Sequence, residues 1–285
     1  MTTPHDDLTP DGPQGGPDDD RPDEDGSHVE APDDDVLHHG ELLVVGRVTT
    51  ASNATFVGTV GGVQVVYKPV AGEQPLWDFP DGTLARREVA TYLVSQELGW
   101  DVVPRTWLRD GPLGPGMVQL WQDTDPAQDP VDVVPTTAVP PGWRTVLEGA
   151  DERGRPVAVV HEDSPALRRM AVLDVLVNNA DRKGGHVLPV AGGHRYGVDH
   201  GVTFHTEPKL RTVLWGWVGE DLDADERAGV ERVRDGVAGA LGERLAALLE
   251  GPEVDALVAR CERLLTSGRF PGPEAASSPV PWPLF

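Results

Sequence analysis

Apolar positions along the chain fall into two textures. Up to residue 121 they form short runs of strand length. "ELLVVGRV" (41–48) is one, and "ATFVGTVGGVQVVYKP" (54–69) is two such runs meeting at Gly61-Gly62, the signature of a tight hairpin. One helical segment interrupts them: "GTLARREVATYLVSQELGW" (82–100) carries apolar residues at helical spacing through Leu84, Val89, Tyr92, Leu93 and Leu98, with Gly99 placed to stop it. "WDVVPRTWL" and "GMVQLWQ" predict two further strands. Beyond residue 142 the pattern turns helical. "SPALRRMAVLDVLVNN" (164–179) opens on Ser164 as N-cap and Pro165 as first helical residue, and its second half is apolar on nearly every side, as in a helix buried within a domain. "HVLPVAGGHRYGVDHG" predicts a short hairpin, and residues 221–265 supply the remaining helices, with the single cysteine, Cys261, among their core positions.

This organisation predicts an α+β chain of two lobes: a strand-rich small lobe over 41–121, an Asp- and Pro-rich linker over 122–142, and a mainly helical large lobe over 143–267. Residues 1–40 are read as a disordered acidic tail. Residues 268–285 are read as a Pro-rich tail whose Trp282, Leu284 and Phe285 are placed to dock on the body. No internal repeat is present.

Charge changes the picture mainly at the N-terminus. Of a net −23 over 285 residues, the first forty carry −12, from thirteen acidic residues and one arginine. Such a segment cannot bury enough apolar surface to offset its ordering entropy, so it reads as solvated, with docking to a protein partner as the functional alternative. An acidic body gains nothing electrostatically from phosphate backbones or anionic lipid, which argues against nucleic acid and membranes as partners. No basic-then-apolar leader opens the sequence, and no apolar run nears the roughly 18 residues of a spanning helix. The expectation is a soluble cytoplasmic protein.

The buried helix ends in "VNNADRKGGH" (177–186), an abrupt run of amides, charges, glycines and an imidazole. As plain structure, Asn caps the helix, the glycines turn the chain, and Asp181 pairs with Arg182 or Lys183. As chemistry, the run fits phosphoryl transfer, which needs a carboxylate to orient the attacking group, a cation for the nucleotide phosphates, and ligands for a charge-neutralising metal. Kinase-type sites place a base aspartate on a loop, a metal-binding amide five positions later, and a second metal-binding aspartate before a glycine. Here His186 follows Asp181 by five, and Asp199-His200-Gly201 begins 18 residues after Asp181. Lys68 ends the second strand of the hairpin, and Glu88 lies 20 residues on, placed to pair with it. The chain has three lysines against 21 arginines, so Lys68 and Lys183 at such places stand out from a surface background.

These residues, with "RREVATYLVSQELGWDVVPRT", "LDVLVNNADRKGGHVL" and "YGVDHGVTF", resemble the phosphatidylinositol 3-/4-kinase superfamily, nearest its type II 4-kinases and an actinobacterial branch, and more distantly HipA-like kinases. The resemblance covers roughly residues 42–215. It implies a two-lobed protein-kinase-like fold, ATP with Mg²⁺ or Mn²⁺, and a set of roles. Lys68 would hold the nucleotide phosphates and Glu88 would be its partner. Asp181 would be the catalytic aspartate with Lys183 beside it, and Asp199 and His186 the metal ligands. Ser52, Asn53 and Thr55 would form the phosphate-covering loop, Gln119, Leu120 and Trp121 the hinge against the base, and Asp174 a structural carboxylate satisfied by loop backbone.

The chain departs from that pattern at three places. His186 stands where the family usually has Asn, which suits Mn²⁺ better than Mg²⁺; Lys183 replaces a His common in lipid kinases; and "TTASNATF" lacks glycine. Lys209 and Arg211 are the cations nearest the expected acceptor side, too few for an inositol phospholipid headgroup. The acceptor expected is therefore a protein or a soluble small molecule. Trp215 and Trp217 are placed either in that acceptor site or in the core. Two other functions use the same residues: a nucleotide-binding module without catalysis, and a metal-dependent hydrolase built on Asp181, His186, Asp199 and His200.

Overall fold

The computed structural model describes residues 33–49, 51–274 and 278–285. The acidic stretch 1–32 lies outside the described residues. The remainder of the assigned acidic tail is not free chain: Asp34–His39 form a helix, α1, capped by the Asp33 side chain. Leu37 on this helix is fully buried, worth about 1.5–3 kcal/mol of apolar transfer, and Arg109 holds the Leu37 and Gly40 carbonyls at 2.7 and 2.6 Å. One leucine and a distant arginine thus override an acidic composition.

The small lobe is a five-stranded antiparallel sheet. Its strands are β1 (Leu42–Val48), β2 (Thr55–Val60), β3 (Val63–Pro69), β4 (Thr106–Gly111) and β5 (Gly114–Leu120), in the order β1-β2-β3-β5-β4. Gly61 and Gly62 close the β2–β3 hairpin at φ +56° and +84°, the left-handed pair that favours glycine. The strand expected from residue 100 starts only at Thr106, because Pro104 and the residues before it form the connection from the preceding helix. That helix, α2 (Leu84–Leu98), stops at Gly99 with φ +74°. It is buried around most of its circumference, including Arg87 and Glu88, because the sheet lies on one side and the large lobe on the other.

The stretch 122–142 is not only a linker. It contributes β6 (Val131–Pro135), which with β7 (Trp143–Ala150) and β8 (Pro156–Glu162) makes a three-stranded antiparallel sheet in the order β6-β8-β7. Polar and proline residues dilute the strand pattern there, and only β8 in the centre reads as continuously buried.

The helical part follows expectation. Ser164 accepts a hydrogen bond from the Leu167 amide at the start of α3 (Pro165–Val177), whose apolar second half enters the main core. The short hairpin is β9 (Val187–Pro189) with β10 (Arg195–Gly197). Helices α4 (Ala224–Val237), α5 (Ala240–Ala246) and α6 (Gly251–Ser267) complete the core, with Cys261 buried in α6. The architecture is thus α+β, a sheet lobe on a largely helical lobe. No described helix is long and apolar enough to cross a membrane.

Candidate active site

Alternation along β3 turns Val65 and Tyr67 into the small-lobe core and Lys68 to the opposite face. There the Lys68 ammonium lies 2.6 Å from Glu88 Oε1 and 2.7 Å from Asp199 Oδ1, the latter 131 residues away in sequence. The second oxygen of Glu88 accepts the backbone N–H of His200 at 2.8 Å, so one carboxylate fixes both the lysine and the turn that presents Asp199. Asp199 itself sits at φ +62°, a strained left-handed conformation for a residue with a side chain. Burial works against the Lys68 charge, but Asp199 and Glu88 more than offset it and hold the ammonium above the usual lysine range. Lys68 in turn holds Asp199 below the usual carboxylate range.

His186 arrives on a 3-10 turn (Gly184–His186) and faces the same carboxylate, with its Nε2 3.3 Å from Asp199 Oδ2. Its Nδ1 is 2.9 Å from the Asp181 carbonyl. A carbonyl only accepts, so Nδ1 carries the proton and Nε2 presents a lone pair. Burial pushes the imidazole down to about 4, so it is neutral near pH 7. Two acceptors, Nε2 and Oδ2, therefore face each other with no proton between them, a donor set that suits a cation. Among the described residues no three His, Cys, Asp or Glu side chains form a metal-sized cluster.

Asp181 hangs beside this pair, its amide held by Asn179 Oδ1 at 3.0 Å and its Oδ2 3.3 Å from Lys183 Nζ. Burial raises its pKa while the Lys183 charge opposes that rise.

The loop carrying these groups is braced from below. Asp174, fully buried on α3, accepts from Arg182 at 2.9, 3.0 and 3.2 Å and from the Asn179 side chain at 2.9 Å. Its donors are side chains, not the loop backbone expected; of the two partners read for Asp181, Lys183 takes that place and Arg182 turns inward, where it is fully buried. The guanidinium also binds the carbonyls of His186 and Val198 at 3.1 and 3.2 Å and lies 2.6 Å from His200 Nε2. Five planar donors let one arginine join both aspartate-bearing turns. Arg87, which the sequence reading passed over, similarly ties α2 to Thr203 O at 2.6 Å and to Glu253 at 2.5 Å. A buried charge within a helix was the only signal available for it.

No described hydrogen bond joins the other expected residues to the side chains of Lys68, Glu88, Asp181, His186 or Asp199. Asn53 uses its Oδ1 to accept the Gln74 amide at 2.7 Å, Thr55 is buried with its hydroxyl on Asn53 O at 3.3 Å, and Ser52 is exposed. The segment is anchored to the β3–α2 loop by the Ala54 amide on Gly72 O at 3.0 Å. Gln119 turns its amide to Thr106 at 2.8 Å rather than outward. Leu120 and Trp121 lie at the sheet's end, with their amides on Arg105 O and Gln64 O. Trp121 is exposed, its indole N–H on Asp123 at 3.1 Å. Lys209 is paired with Asp78 at 2.9 Å and lies over the Trp77 ring, while Arg211 is exposed. Trp217 is core, with its indole N–H on Asp163 at 2.8 Å. A cavity of about 880 Å³ lies elsewhere, between α3, residues 206–215 and α6.

Comparison with known proteins places the chain in a family. Protein Rv2133c of Mycobacterium tuberculosis is 50% identical over 263 residues, which span 88% of this chain and 94% of that one. The chain belongs to the Rv2133c family. No family model matches it. Among solved structures, the Helicobacter pylori proinflammatory kinase CtkA aligns with a TM-score of 0.42 at 10% identity, over 82% of this chain and 94% of that one. HipA of the Shewanella oneidensis MR-1 toxin–antitoxin system, in complex with HipB and operator DNA, aligns with a TM-score of 0.40 at 13% identity, over 76% and 65%. In the Rv2133c family member described here, the loop 178–186 and the turn 199–201 meet under β3 and α2.

Proposed function

We propose that this chain is an ATP-dependent phosphotransferase, a kinase whose acceptor is a protein or a soluble small molecule. The observation that carries the reading is the meeting of Lys68, Glu88 and Asp199 across both lobes, with Asp181 on the adjoining loop. Lys68 would bind the nucleotide phosphates, and Glu88 would keep it aimed while fixing the His200 amide. Asp181 would accept the proton of the attacking hydroxyl, with Lys183 beside it to meet the charge of the transferred group. Asp199 Oδ2 and His186 Nε2 would hold a divalent cation, whose other ligands would be phosphate oxygens and water. When bound, that ion would neutralise phosphate charge. The hydrolase alternative is less well served: Arg182 already occupies His200 Nε2, and Lys68 and Glu88 have no task in it. An acceptor that is not a lipid is inferred from the net charge of −23 and the pairing of Lys209.

The test is the thermal unfolding midpoint with ATP or ADP, each with Mg²⁺ or Mn²⁺, beside Asp199→Ala. A ligand at about 100 times its dissociation constant adds roughly 2.7 kcal/mol, a shift of about 5–10 °C for a chain of this size. The shift is expected in the wild type with metal and not in the variant. A folded sample that no nucleotide stabilises would overturn the reading, and nucleotide binding with no transfer to any acceptor would reduce it to a binding module. In the same assay His186→Asn is expected to move preference from Mn²⁺ toward Mg²⁺. An unchanged metal profile would remove His186 from the ligand set.

A further inference from the structure

We propose that residues 278–285 form a strap that positions the catalytic loop, and that phosphoryl transfer depends on it; this rests on the phosphotransferase reading above. Catalytic loop and acceptor segment run side by side, the Arg182 amide on Arg211 O at 3.0 Å and the Val213 amide on Arg182 O at 3.1 Å. The strap clips this pair at both ends. At one end the Pro279 carbonyl accepts from the Trp215 indole at 2.6 Å and from the Thr212 amide at 3.2 Å. At the other the Leu284 carbonyl accepts from the Gly184 amide at 2.8 Å. Pro281 is buried, and Leu284 packs on the main core.

The contact at Gly184 is the specific one. A Cβ at that position would overlap three atoms of the Phe285 ring. Gly184 does not have a positive φ, so its backbone does not require glycine; what a side chain there would meet is the Phe285 ring, which is 54% exposed and covers the position from the solvent side. Gly184 opens the 3-10 turn that delivers His186 and follows Lys183, the partner of Asp181. A methyl at Gly184 must therefore displace either the ring or the backbone that carries Lys183 and His186, and the Leu284 carbonyl bound to the Gly184 amide couples the two. None of the described hydrogen bonds of the strap reaches the side chains of Asp181, Lys183, His186, Lys68 or Asp199, which makes it a brace beside the site rather than a plug in it.

The experiment is a cycle of Gly184→Ala, Phe285→Ala and the double variant in the full chain. Each is assayed for ATP turnover and for hydrogen exchange of peptides spanning 181–186 and 211–215. Gly184→Ala is expected to lower kcat by about 10²-fold, the scale of an ångström-sized misplacement, with KM for ATP unchanged and faster exchange in both peptides. Phe285→Ala alone is expected to cost less, since the backbone bonds remain. The double variant is expected to recover to the Phe285→Ala level, because the methyl then has room. Trp282→Ala, with its side chain 85% exposed, is expected to change neither readout. Wild-type-like kcat and exchange in Gly184→Ala, or a double variant worse than either single one, would overturn the strap while leaving the kinase reading intact. Faster exchange in Gly184→Ala alongside a wild-type protein that never turns over ATP would sink the kinase reading, and with it the strap's catalytic role.

Discussion

Asp174→Ala is expected to remove about 3–5 kcal/mol of folding stability, the scale for deleting one partner of a buried ion pair. Asp174 and Arg182 are both fully inaccessible, and the variant leaves the guanidinium buried with only carbonyls and an imidazole around it. Asn179 loses its acceptor as well. Against a typical total of about 5–15 kcal/mol this is a large share, and the damage falls on the loop that carries Asp181. Urea unfolding monitored by tryptophan fluorescence gives the number. A loss under about 0.5 kcal/mol, within the range of an ordinary surface substitution, would show that Arg182 finds another partner and that the brace is not structural.

Asp181→Asn and Asp199→Asn are expected to separate catalysis from binding. In the proposed mechanism Asp181 is the proton acceptor and acts on the substrate hydroxyl, so removing it is expected to cost about 10²–10⁴-fold in transfer while metal–ATP affinity persists. Asp199→Asn is expected to lose metal-dependent nucleotide binding itself. The pH dependence adds a second check. Asp181 accepts a proton only when ionised, so kcat falls as pH drops through its pKa, which burial has raised above the ordinary Asp value. His186 stays neutral down to about 4, so no second inflection is expected near the ordinary imidazole value of 6.5. Equal, full activity in both variants, measured with any competent acceptor, would dissolve the assignment. An inflection near 6.5 that His186→Asn abolishes would mean that the imidazole is not held neutral.

Both results depend on how the chain brings distant residues together, and legibility follows the range of the interaction. The Gly61-Gly62 hairpin, the Ser164-Pro165 helix start and the Gly99 stop were readable because each is decided by backbone conformation within a few residues. The pairing of Lys68 with Glu88 was expected from their strand and helix placement set against a kinase-type site, and the two meet at 2.6 Å. The helix at Asp34–His39 was not, because it depends on Leu37 joining the buried cluster that includes Tyr67, Trp107 and Val118. Nor was β6, whose pairing with β8 outweighs a Pro- and Asp-rich local composition. Arg182 is the sharpest case. The sequence offered Asp181 either Arg182 or Lys183; Lys183 took it, and the buried Asp174, which required a donor, took Arg182. By itself, then, the sequence determined most of the elements, the α+β class and which side chains are candidates for chemistry, since local conformation and charge are written residue by residue. Tertiary structure alone decided which charges face one another and which loops are braced, because the desolvation of a buried group, not its position in the chain, selects its partner.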